Sequence, residues 1–168
     1  GKRGVEGKWG GKMREEWPID RAAVLSGSVI AGFGSAVRTG RVEAGETVAV
    51  IGCAGVGMAA MNGAYVAGAG RIIAVDTNPV KLQLATKMGA TDLVNPNDGD
   101  PVENVLEITR GGVHHAIECL GLKLTAEQSF RMLAIGGTAT IVGIVPLGDK
   151  IELYALHMSR AQIGSAHV

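Results

Sequence analysis

The stretch Val48–Ala60, "VAVIGCAGVGMAA", decides how the rest of the sequence is read. Four apolar residues, three of them β-branched, run into Gly52 and then into a glycine- and alanine-rich segment. A continuous apolar run of this length reads as a strand buried on both faces. The glycines after it read as a tight turn into a helix. In this turn Gly52 makes the bend, and Gly57 lets the helix lie close against the strand. The N–H groups at the start of that helix face an anion such as a pyrophosphate. The pattern departs from G-x-G-x-x-G at one place: Ala54 stands where the second glycine normally clears space for the phosphates, with Gly55 beside it.

Working outward, strands and helices alternate. A strand is expected over 47–52, a helix from about Gly55 to Gly68, and a second strand over 71–76. Pro79 suits the first turn of a helix ending at Gly89. A short third strand follows over 91–95. Asp100 and Glu103 have capping-box spacing around Pro101, opening a helix that ends near Gly111. "HHAIECLG" (114–121) reads as the fourth strand. Thr125 and Gln128 have capping-box spacing for a helix to about Leu133. "TATIVGIV" (138–145) is the fifth strand, and "RAQIGSAHV" (160–168) the sixth. Upstream, Asp20 is a candidate N-cap for a short helix from Arg21, and a second helix runs from Gly27 or Ser28 to about Gly40. Alternating strand and helix predict an α/β fold: a doubly wound, parallel, six-stranded Rossmann sheet with helices on both faces. The organisation expected is an N-terminal segment with hinge helices over 1–40 and a dinucleotide-binding domain over 41–168.

Composition narrows the partners. The 168 residues are 46% hydrophobic and 19% charged, as in a globular chain. Sixteen basic residues balance sixteen acidic ones, so the formal net charge is zero and argues for no nucleic acid and no membrane partner. The basic, glycine-rich run near the start reads as a solvated tail. No apolar leader segment and no apolar stretch of about 18 residues is present. The two cysteines, Cys53 and Cys119, have neither disulfide-framework nor metal-knuckle spacing, which suits a reducing, cytoplasmic setting.

Asp76 lies nineteen residues after Gly57, at the end of the second strand. A carboxylate there accepts hydrogen bonds from the adenosine ribose diol and repels the 2′-phosphate of NADP, so the cofactor expected is NAD. Asp76 could instead simply cap the next helix. His114 and His115 are adjacent on a strand and point to opposite faces, so they do not share a metal. Cys53, near a helix N-terminus, reads as a small loop residue, and Cys119 as packing.

The motifs "SGSVIAGFGSAV", "GCAGVG", "RIIAVDTNPVKLQLATKMGATDLVNP", "GGVHHAIECLG" and "GGTATIVGIVP" together resemble the nucleotide-binding domain of zinc-dependent, medium-chain alcohol dehydrogenases, in detail the class III-like bacterial branch, over about residues 18–168. The resemblance implies that Val56 lies beside the nicotinamide and that Asp76 and Lys81 serve the adenosine ribose. It also implies that Leu120 covers the adenosine side and that Val142 and Ile144 line the nicotinamide pocket. With Gly52, Ala54, Gly55 and Gly57 these make the expected cofactor site. The cysteine zinc ligand of the family aligns with Gly27, between Ser26 and Ser28, and a threonine of its motif aligns with Ala31. Glycine cannot bind zinc, so no metal ligand and no catalytic residue is expected here. The other zinc ligands of the family belong to an N-terminal catalytic domain that this sequence is expected to lack. The resemblance also implies homo-oligomers through the edge strand. The functions that follow are an NAD-binding domain of an alcohol dehydrogenase-like oxidoreductase, inactive alone, or a non-catalytic dinucleotide-binding or self-associating module. A methyltransferase also places a glycine loop before an acidic strand end, but "GCAGVG" with Asp76 and Lys81 argues against it.

Overall fold

The structure, a computed structural model, describes residues 27–154 and the backbone of 25–26 and 162–165. The helix expected from Arg21 and the N-terminal tail lie outside the described residues. A helical stretch, α1, passes through three consecutive segments, Leu25–Val29, Ile30–Gly34 and Ser35–Gly40, the outer two wound as π-helix. Then follow β1 (Thr47–Ile51), α2 (Gly55–Val66), β2 (Arg71–Val75), α3 (Pro79–Thr86), β3 (Asp92–Val94), α4 (Pro101–Thr109), β4 (Val113–Glu118), α5 (Lys123–Arg131) and β5 (Leu133–Ile141). A last strand, β6 (Gln162–Ser165), pairs along β5.

All pairings are parallel, and the strand order is β3-β2-β1-β4-β5-β6. The order reverses between β1 and β4. In an open α/β sheet this is where the crevice at the carboxyl ends of the strands receives a ligand. Alternation along β1 explains the layers. Val48 and Val50 point into a core with Ala36, Met61, Ala64 and Leu82 from α1, α2 and α3. Ala49 and Ile51 point the other way, into a core with Val102, Val105 and Met132. A strand whose side chains are buried on both faces has to be apolar throughout, as 48–51 is.

Local chemistry sets most of the boundaries. Asn78 caps α3, its Oδ1 accepting from the N–H groups of Val80 (2.9 Å) and Lys81 (3.3 Å), with Pro79 at the first position. Asp100 caps α4 in the same way, accepting from Val102 N at 2.7 Å. Small residues let α1 cross α2 closely: a Cβ on Gly32 would overlap the Val56 carbonyl oxygen and lie 2.8 Å from Ala59 Cβ.

Three expectations are corrected. The Thr125–Gln128 capping box does not form: α5 begins at Lys123 after an uncapped Leu122, and the Thr125 hydroxyl instead reaches back to Glu118. The fifth strand starts at Leu133 and ends at Ile141, so Val142 and Ile144 stand on the loop beyond it. Val142 N donating to the Glu118 carbonyl at 2.8 Å is the last rung of the ladder, and Gly143 N turns back to share the same oxygen at 3.0 Å. The fourth strand stops at Glu118, and Cys119–Gly121 lie beyond it.

Candidate functional site: the glycine turn and the carboxyl ends of the strands

The turn after β1 is built on two glycines. Gly52 has φ +96°, a left-handed conformation that glycine takes without strain. A Cβ added to it would lie 2.7 Å from Leu120 Cγ, so the Leu120 side chain, 44% exposed, rests directly on this turn. A Cβ on Gly57 would overlap the Gly52 carbonyl oxygen, the close helix–strand approach expected of the third glycine. Ala54 is the N-cap of α2, exposed, at φ −86° and ψ −168°. Any residue adopts that extended backbone, so the alanine is unstrained there. Its side chain makes no cap bond. The first intrahelical bond runs from Met58 N to Ala54 O, so the N–H groups before it have no partner within the helix. With the helix dipole they form a site suited to an anion. Gly55 is exposed, and Ser28 of α1 lies beside it, 3.4 Å from where its Cβ would be.

Asp76 follows β2 and is 7% exposed. One oxygen accepts from Cys53 N at 2.8 Å, and the other from Asn78 N at 2.8 Å. The carboxylate therefore ties the glycine turn to the end of the second strand. It is not the cap of α3, since Asn78 fills that role. Lys81 Nζ stands 3.9 Å from Asp76, an ion pair at the rim. Arg71, at the opposite end of β2, is occupied by Asp92 at 3.5 Å and by the Ile108 carbonyl at 2.6 Å.

The structure thus brings Gly52, Ala54, Gly55, Gly57, Asp76, Lys81 and Leu120 around the ends of β1, β2 and β4. Val56 is half-buried in the first turn of α2, its carbonyl facing Gly32. Val142 is half-buried and Ile144 is 92% exposed, both on the loop that follows β5. That loop touches the one after β4, because a Cβ on Gly121 would lie 2.5 Å from the Ile144 carbonyl oxygen.

Sequence reasoning missed Glu118, a fully buried carboxylate at the end of β4. It accepts from Leu120 N (2.8 Å), Gly121 N (2.9 Å) and the Thr125 hydroxyl (2.8 Å). The signal available was an acid inside the apolar run "HAIECLG". Near the start of β4, His115 is buried, with Nε2 2.7 Å from Glu46 Oε2, while His114 is exposed and bonded to Thr47. Burial pushes the Cys53 thiol up to about 12, and the Asp76 charge adds to this while Lys81 opposes it. Burial likewise pushes Cys119 up. Neither thiol is an activated nucleophile.

Gly27 is exposed at the start of α1, with open space around it. A position without a side chain does not fit a zinc ligand. Among the described residues no three His, Cys, Asp or Glu side chains are grouped to hold a metal ion. A cleft of about 550 Å³ lies elsewhere, along Glu127 and Arg131 of α5 and residues 152–154. Among the described residues no helix is long and apolar enough to cross a membrane.

Comparison with known proteins places this geometry in a family. The zinc-binding dehydrogenase family matches over residues 55–168. The chain belongs to that family. Alcohol dehydrogenase 2 of Zea mays is 40% identical over 149 residues, covering 87% of this chain and 39% of the maize protein. S-(hydroxymethyl)glutathione dehydrogenase of Synechocystis is 38% identical over 160 residues, covering 92% of this chain and 43% of that protein. A zinc-binding dehydrogenase of Sinorhizobium meliloti, solved bound to NADP, superposes with a TM-score of 0.77 at 33% identity, over 83% of this chain and 42% of its own. The chain thus spans about two fifths of the length of these family members.

Proposed function

We propose that this chain is the NAD-binding part of an alcohol dehydrogenase-like oxidoreductase, that it prefers NAD(H) to NADP(H), and that by itself it does not oxidise alcohols. The observation that carries the reading is Asp76: a buried carboxylate bonded to Cys53 N of the glycine turn and standing at the end of the second strand. A carboxylate offers roughly four acceptor positions, and the two backbone N–H groups take two of them. The remainder suits a ribose diol. A 2′-phosphate would meet the same negative charge, and Lys81, 43% exposed and 3.9 Å away, offsets only part of it. The uncapped start of α2 suits a pyrophosphate, although the Ala54 methyl occupies the path that glycine would leave open, so binding is weak. When bound, the nicotinamide would supply the hydride acceptor. The chain's own part is to hold the two ends of the dinucleotide: Asp76 and Lys81 the ribose, α2 the phosphates, and Val56, Val142 and Ile144 the nicotinamide side.

Inactivity alone is supported by Gly27, since oxidation requires the alcohol oxygen to be polarised and its proton removed. Gly27 also favours a second reading, a module that binds dinucleotide without catalysis. Self-association belongs to both readings. β6 ends the strand order, and among the described residues no strand pairs with its outer edge. Such an edge invites pairing with a second copy. Two free cysteines suit a reducing, cytoplasmic setting. The test is NADH fluorescence on binding, together with absorbance at the NADH band over a panel of primary alcohols. Binding without turnover supports the proposal, whereas turnover by the chain alone would overturn the inactive reading. S-adenosylmethionine bound in preference to NADH would point to a methyltransferase.

A further inference from the structure

We propose that Glu118 is a positioning residue of the dinucleotide site, its buried carboxylate setting the turn that carries Leu120 and lying against the loop that carries Val142 and Ile144. The inference rests on the dinucleotide reading above. Glu118 is 0% exposed, and the groups that hydrogen-bond to its carboxylate are neutral donors. Oε1 accepts from Leu120 N, Gly121 N and Thr125 Oγ1, and Oε2 accepts from Gly121 N at 3.1 Å. Its main-chain carbonyl accepts from Val142 N and Gly143 N. The Val142 bond is the last rung of the β4–β5 ladder and Gly143 N shares its acceptor, so it is the side chain of Glu118 that closes the turn after β4.

The surrounding glycines are shaped by this arrangement. A Cβ on Gly143 would lie 2.6 Å from Glu118 Oε2, so the second loop approaches the carboxylate as closely as glycine permits. Gly121 takes φ +76° and packs against the Ile144 backbone. Leu120, whose N–H is held by Oε1, is placed on Gly52. A buried anion is costly unless hydrogen-bonded, and these donors meet that need only in this loop geometry. The charge thus makes the geometry sharp: a neutral side chain would tolerate looser loops.

Glu118→Gln keeps the size and one acceptor while removing the charge. Ionic hydrogen bonds are roughly twice as strong as neutral ones, so Glu118→Gln is expected to speed amide exchange at 120 and 121, whose N–H groups the carboxylate holds, and to raise the Kd for NADH about tenfold. Thr125→Val removes one donor and should move both readouts in the same direction, and Thr125→Ser should restore them. Val105→Ala, in the core on the α4 side, loses stability without touching these loops, so it controls for destabilisation. It should leave NADH affinity unchanged. Unaltered exchange and affinity in Glu118→Gln would overturn the proposal, as would an equal loss of affinity in Val105→Ala. Wild-type chain that takes up no NADH overturns the dinucleotide reading. In that case accelerated exchange at 120 and 121 still upholds the positioning, and unaltered exchange overturns it.

Discussion

Asp76→Ala separates the two tasks assigned to this carboxylate, holding the turn and meeting the ribose. The structural part can be worked from its two bonds. Cys53 is 1% exposed, so losing the acceptor leaves its N–H buried and unsatisfied, at about 1–3 kcal/mol. Asn78 is exposed, and water replaces the second acceptor at little cost. The net loss is about 2 kcal/mol, which for a chain of this length lowers Tm by roughly 4–8 °C. Asp76→Asn can keep an oxygen toward Cys53 N, so it should retain most of the stability. It turns donors toward the ribose and removes the charge, so it should relax the preference against NADPH. The assay is a thermal melt by circular dichroism, paired with NADH and NADPH titrations of both variants. A Tm for Asp76→Ala within a degree of wild type would refute the structural part. Unchanged discrimination between NADH and NADPH in Asp76→Asn would refute the ribose part.

Further outcomes follow from the same geometry. Gly57→Ala drives a methyl into the Gly52 carbonyl oxygen and should cost about 1–3 kcal/mol, read as a lower midpoint in urea. Ala54→Gly changes an unstrained, exposed N-cap, so stability should stay within about 1 kcal/mol while NADH binds more tightly; unchanged affinity would show that the methyl is clear of the phosphates. The Cys53 thiol, pushed up to about 12, should resist a thiol-specific reagent at pH 8 in the folded chain and react on unfolding; rapid native labelling at Cys53 would contradict its burial. Burial raises the Glu46 carboxyl, but the Glu43 N–H and His115 outweigh it and leave it below its ordinary value of 4.5. A depressed folded value means that its contribution is fully present above 4.5 and is lost as pH falls below it, so Glu46→Gln should flatten an acid stability profile in that window.

Local features account for what the sequence made legible. The β1 turn, the Pro79 and Pro101 helix starts and the Asp100 cap are written within a few neighbouring residues, and strands buried on both faces show as unbroken apolar runs. Misplaced features depend on distant partners. Thr125 looks like a helix cap until its hydroxyl is seen to reach Glu118, in another element. Leu133–Gly137 reads as the end of a helix and a glycine turn, yet it begins β5, because Leu133 pairs with Val113 across a register shift. Val142 and Ile144 look like strand residues because the apolar run continues through them, and nothing nearby reveals that Gly143 N turns back to share the Glu118 carbonyl with Val142 N. The glycine turn was legible for the same reason as the fold: backbone conformation and close approach restrict residue choice strongly. Glu118 was not, since its role rests on donors that only the folded loops assemble.

The central claim is that the Asp76 end of the glycine turn selects NAD(H). Titration calorimetry of the chain with NADH and NADPH, side by side in one buffer, tests it most directly. Saturable, weak binding of NADH at one site per chain, with NADPH weaker still, is the predicted result. Tighter binding of NADPH, or no saturable heat with either, would contradict it.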